Sequence, residues 1–263
     1  MDQNQLSLPS DAKALRRIEA ALGPAFTRRD LERRGLGDRP LISRLLRSGY
    51  LRRASRGLYE IAEAPRVKIS HEYVLALAIP STTDDAYISW RSALAYYNLT
   101  EQMARVVYVA VAATRPDASV GGAKVKFVIQ GKDRRYDIRD VPLSGTKVRM
   151  VSPEKAVIDG LDRPDLSGGL DDVVRALASR SQLDYAHLVE LAGRHPSGTL
   201  GRRLGYLMTV LGLGDPAPLR RRISRSNKPM RLDLDGERHG PVDKEWQVID
   251  NVGIAEIRDW AQP

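Results

Sequence analysis

At 263 residues with 42% hydrophobic content, the chain has room for one large domain or two smaller ones and is too apolar to be disordered. A formal charge of +9 favours a polyanionic partner such as nucleic acid over an acidic small molecule. The absence of cysteine excludes a disulfide framework, Cys-ligated zinc and a thiol nucleophile.

The charge is local. Residues 1–66 hold 14 Lys and Arg against 8 Asp and Glu, a net of +6, while residues 67–263 hold 28 against 25. A second cluster, PAPLRRRISRSNKPMR (216–231), has six basic residues and no acid. Without these two segments the chain would carry a net charge of −3. Basicity concentrated in two places calls for a local purpose.

The first 66 residues divide into short elements. Ser10 is placed to cap a helix over DAKALRRIEAAL, where Leu15, Ile18 and Leu22 recur at helical spacing and Gly23-Pro24 stops it. In TRRDLERRG, Thr27 can cap, Asp30 stands where a capping-box acid belongs, and Gly35 supplies the stop. In DRPLISRLLRSG, Asp38 caps, Pro40 fits the first turn, and Ile42, Leu45 and Leu46 form an inward stripe. Arg39, Ser43, Arg44 and Arg47 are left outside. Two strands, YLRR and GLYEI, follow around Ala54-Ser55-Arg56-Gly57. This order predicts a winged helix-turn-helix whose third helix enters a major groove. Leu51, Leu58 and Ile61 would anchor the hairpin to the three helices. Arg52, Arg53 and Arg56 would reach the DNA backbone, with Arg28 and Arg29 as further candidates. The plainer alternative is a solvated basic surface.

EAPRVKISHEY (63–73) reads as a linker, and the predicted organisation is a winged-helix domain over 1–66 and a larger mixed α+β domain over 67–263. In the second part, HEYVLALAI and ISWRSALAYYNL read as helices, and RVVYVAVAAT, AKVKFVIQ, YDIRDVPL and TKVRMVS as strands. Ser152-Pro153 opens a helix over PEKAVIDGL. Three more helical segments, GGLDDVVRALAS, YAHLVELAGR and TLGRRLGYLMTVLG, run to about residue 212. The tail has little period before WQVIDN and IAEIRDW. Arg220, Arg221, Arg222, Arg225 and Lys228 form a candidate second phosphate-facing surface.

Catalytic patterns are missing. His71, His187, His195 and His239 show no metal-ligand spacing and read as surface or packing residues, so neither metal nor cofactor is expected. There is no GxxxxGK[ST] run, no GxGxxG and no GxSxG. Asp84-Asp85 and Asp171-Asp172 precede helices and suit caps. A metal-dependent nuclease would have to use Asp137, Asp140, Glu154 and Lys155, a spacing that does not favour it. No run approaches the roughly eighteen apolar residues of a membrane span. The start MDQNQLSLPSDAKAL lacks a signal-peptide pattern, so a cytoplasmic protein is expected.

Four stretches resemble the AbiEi family of antitoxins from bacterial type IV, abortive-infection toxin–antitoxin operons. FTRRDLERRGL…LISRLLRSGYLRRASRGLY is similar to the family's winged helix, and YISWRSALAYYNLTEQM…RVVYVAVAAT to its central helix-then-strand signature. VRMVSPEKAVIDGLDRPDLSGGLDDVVRAL and GPVDKEWQVIDN resemble its later segments. Met103-Ala104 stands where members often carry a proline before the central strand. The resemblance implies a non-enzymatic phage-defence protein that binds repeats upstream of its own operon as a repressor. It also implies an antitoxin that counteracts a nucleotidyltransferase-like toxin, usually without a stable complex. Against it stand a winged-helix-targeted nuclease and a winged-helix module that binds an acidic protein.

Overall fold

The computed structural model describes residues 10–23, 25–55, 58–62, 86–101, 106–120, 123–143, 146–222 and 228–262. The proposed linker, the helix expected over HEYVLALAI, and Arg56 and Arg225 lie outside them. Chain order in the head is α1 (Ser10–Leu22), β1 (Ala25–Thr27), α2 (Arg28–Arg33), α3 (Arg39–Arg47), β2 (Leu51–Ser55) and β3 (Leu58–Ile61). The caps are as the sequence suggests, with one change. Thr27 and Asp30 form a reciprocal capping box, and the Asp38 carboxylate accepts from the Leu41 amide at 2.9 Å. Ser10, expected as a cap, is already the first residue of α1. Gly35 and Gly49, at φ of 62° and 75°, take the left-handed turns that release α2 and α3.

The hairpin gains a third strand, giving the antiparallel order β1-β3-β2. Register then decides which face each side chain takes. Leu51 lies opposite Ile61, and Arg53 opposite Tyr59, so these share one face; Arg52, Glu60 and Leu58 share the other. Leu51, Tyr59 and Ile61 pack with Ile18, Phe26, Leu31, Ile42 and Leu45 into the head's own core. Leu58 does not join them. It is fully buried in the core of the larger region, which corrects the expectation that it anchors the wing to the three helices.

Among the described residues the larger region begins with β4 (Tyr87–Ile88) and α4 (Trp90–Tyr96), so Ile88 is strand rather than helix. Then come β5 (Val106–Val111), β6 (Ala118–Val120), β7 (Ala123–Ile129), β8 (Ile138–Leu143) and β9 (Thr146–Val151). These six form one mixed sheet in the order β6-β7-β5-β4-β9-β8. Its edge strand β6 runs beside β2 of the head. Four helices follow: α5 (Pro153–Asp162), α6 (Leu170–Leu177), α7 (Tyr185–Arg194) and α8 (Gly198–Leu211). The tail supplies α9 (Ala217–Arg222), β10 (Met230–Arg231), β11 (Val242–Asp243), β12 (Val248–Ile249) and α10 (Ile254–Trp260). Helix α5 is the hub. It packs against α4, α6, α7 and α8, and every residue from Glu154 to Leu161 is buried. Among the described residues no helix is long and apolar enough to cross a membrane.

Candidate nucleic-acid interface

Helix α3 is strongly two-sided. Ile42 and Leu45 are buried, while Arg39, Ser43 and Arg47, four residues apart, stay exposed along one side. Nine residues at about 1.5 Å each make a rod short enough to lie in a major groove. The arginines differ in what already holds them. Arg44 pairs with Asp11 of α1 at 3.0 Å, Arg28 with Glu32 at 2.9 Å, and Arg52 with Glu60 at 2.8 Å. Among the described residues Arg39, Arg47 and Arg53 have no acidic partner; Arg47 Nε reaches only the Ser43 carbonyl at 3.4 Å. The Arg53 guanidinium sits 5.9 Å from the centre of the Tyr59 ring. Arg29 is exposed on α2.

Arg52 and Arg53 therefore leave opposite faces of the hairpin. Both remain exposed, Arg52 with 67% of its side chain open. The strand that carries them is flanked by the larger region, yet that region does not cover their guanidinium groups.

The second basic cluster is partly structural. Leu219 buries α9 against α8 and α7, and Arg220 pairs with Glu245 at 2.5 Å, an acid supplied from outside the acid-free stretch. Arg221 and Lys228 are exposed, and only the backbone of Arg222 is described.

Of the four suggested nuclease residues in the larger region, Asp137 and Glu154 come together, but Asp140 and Lys155 do not join them. Lys155 is fully buried and pairs with Asp159, away from the adjacent Glu154, while Asp140 is exposed on β8. Asp159 also accepts from Ser89 at 2.6 Å and from Gln130 at 3.1 Å, and Tyr87 donates to Gln130 at 2.8 Å. The Lys155 ammonium lies 4.5 Å from the Tyr136 ring centre, with Arg194 at 4.9 Å from the same ring. Burial and the Asp159 charge push the Tyr87 hydroxyl far above the ordinary phenol range, so it acts only as a neutral donor. Sequence reading missed this network because its members come from β4, α5 and the loop after β7. The stretches YISW and SPEKAVID, which carried the likeness stated above, supply four of them.

The closing GPVDKEWQVIDN motif is likewise structural. Trp246 stacks where Gly205 of α8 leaves no side chain, and its indole N–H donates to Thr209 at 3.0 Å. A Cβ at position 205 would overlap the ring.

Residues 13–62 match the family model described as "Transcriptional regulator, AbiEi antitoxin". The AbiEi match spans the head from α1 to β3, the segment that carries all the head arginines considered above. The larger region is covered by a structural likeness instead. The crystal structure of RV2827C protein from Mycobacterium tuberculosis superposes with a TM-score of 0.62 at 17% identity, over 95% of this chain and 94% of that one. At that identity the likeness shows a shared fold. No curated protein matches the chain.

Proposed function

We propose that this protein is a DNA-binding transcriptional repressor and antitoxin of the AbiEi kind, acting in the cytoplasm without enzymatic chemistry of its own. The observation that carries this reading is the exposed row Arg39, Ser43 and Arg47 on α3, within the segment that matches the AbiEi regulator model. The head, with its boundary near residue 66, binds double-stranded operator repeats upstream of its own operon. Helix α3 lies in the major groove, where Ser43 and Arg44 read base edges, while Arg39 and Arg47 along its exposed side contact phosphates together with Arg28, Arg29, Arg52, Arg53 and Arg56. Arg220, Arg221, Arg222, Arg225 and Lys228 offer a second phosphate-facing surface. The larger region counteracts a nucleotidyltransferase-like toxin.

The test for the DNA-reading half is a gel shift with DNA from upstream of the operon against scrambled duplex. Replacing Ser43 or Arg44 by Ala is expected to relax base preference, at about 1–3 kcal/mol per lost base contact. Equal affinity for upstream and scrambled DNA would refute sequence-specific repression. For the antitoxin half, co-expression must restore growth to cells making the neighbouring toxin.

A further inference from the structure

Far along the chain from the arginine face, three elements of the larger region bring metal-ligating side chains to one spot. Asp137 immediately precedes β8, Glu154 lies in the first turn of α5, and His187 lies in the first turn of α7. One ligand atom from each lies within 4.8 Å of the other two, and His187 Nε2 stands 3.1 Å from an Asp137 carboxylate oxygen. Donors sharing an ion at about 2.0–2.2 Å stand roughly 3–4 Å from one another, so this spacing needs little rearrangement.

Glu154 is oriented from behind: the Asp184 amide donates to its Oε1 at 3.0 Å. His187 Nδ1 faces the Glu190 carboxylate at 3.8 Å, beyond hydrogen-bond length. Arg139 is the neighbouring cation, at 3.6 Å from Asp137 and 4.0 Å from Glu154, both beyond hydrogen-bond length, with half its side chain in solvent. Two carboxylates are thus matched by a single loosely placed positive charge.

We propose that Asp137, Glu154 and His187 bind one divalent transition-metal ion of the zinc class, with Arg139 moving into solvent as the ion enters. One imidazole with two carboxylates suits such ions, and their charge balances the two acids. Lys155 points away into the core, so the role assigned is a clamp joining β8, α5 and α7, not a hydrolytic centre.

The test uses the full chain, stripped with chelator and titrated with Zn²⁺ against a chromophoric chelator. The expected result is one saturable equivalent, weakened at least about tenfold in Asp137→Asn and in His187→Ala. Arg139→Gln should bind more tightly, because the competing guanidinium charge is gone. Absence of saturable uptake, or uptake undiminished in both ligand variants, overturns the proposal. If either ligand variant fails to fold, Arg139→Gln decides: tighter uptake supports the site and unchanged uptake overturns it.

Discussion

The head and the larger region treat the same residue types in opposite ways. In the head, arginines sit at the surface, some in exposed ion pairs and three, Arg39, Arg47 and Arg53, with no acidic partner among the described residues. In the larger region, Arg202 and Arg203 of α8 are buried and donate to backbone carbonyls, with Arg203 Nη2 left without a hydrogen bond among the described residues. Arg202 reaches Trp246 at 2.8 Å, Lys228 at 3.0 Å and also Gln247; Arg203 reaches Leu232 at 2.7 Å and Leu161 at 2.6 Å. Burial, partly offset by the charges of Asp233, Asp162 and Asp235, pushes the Arg203 guanidinium down to about 10. These cations are cross-links between α8, α5 and the tail. The contrast teaches that net charge marks a nucleic-acid surface only where solvent still reaches the guanidinium groups. In the cross-links the charge is used up inside the fold.

The contrast can be broken most forcefully at Lys155. Lys155→Ala would leave the Asp159 carboxylate buried without its counter-charge, and a loss of about 3–5 kcal/mol is expected in urea unfolding. Arg39→Ala or Arg47→Ala in the head should stay within about 0.5 kcal/mol in the same experiment. A Lys155 variant as stable as the parent would mean the buried pair contributes nothing to stability.

Leu58 tests how separate the two regions are. Its side chain belongs to the larger core although its strand belongs to the head. Leu58→Ala should cost about 2–4 kcal/mol and lower the unfolding midpoint of the larger region as well as that of the head. An effect confined to the head would contradict the shared packing. Within the head alone, Thr27→Ala removes the capping box and should cost about 1 kcal/mol, read by chemical denaturation.

The gentlest probe is pH. His195 is buried with no hydrogen bond to its Nε2 among the described residues, the Asp162 carboxylate standing 3.9 Å away, and burial lowers its folded pKa below the ordinary 6.5. The unfolded chain therefore binds this proton more readily than the folded one. The contribution is fully present above pH 6.5 and is lost as pH falls from there through the depressed folded value. Thermal midpoints measured from pH 7.5 to 5 should fall less steeply in His195→Gln; an unchanged slope would show that His195 is not the group responsible.

Much of the head was legible because its signals are local. Thr27, Asp30, Asp38 and Gly35 act within four residues of their own position, and the inward stripe of α3 needs only helical period. Strands β1 and β6 escaped notice because three residues show no period. The face taken by Leu58 depends on register with a partner strand, and the destinations of Lys155, Arg202 and Arg203 depend on elements far along the chain. The Asp137–Glu154–His187 group is invisible for the same reason: its spacing exists only in three dimensions. Local rules found where the arginines are, but not which of them hold an acid.

That last distinction gives the most direct measurement. The salt dependence of operator affinity should be compared for the parent chain, for Arg39→Ala/Arg47→Ala/Arg53→Ala, and for Arg28→Ala/Arg44→Ala/Arg52→Ala. With four to six phosphates contacted, log K against log salt should fall with a slope of roughly −4 to −5 in the parent. The first triple variant, which removes arginines without an acidic partner, should flatten the slope by about 2–3 and weaken binding more than the second. Parental affinity and slope in the first triple variant would contradict the claim that the amino-terminal arginines grip DNA.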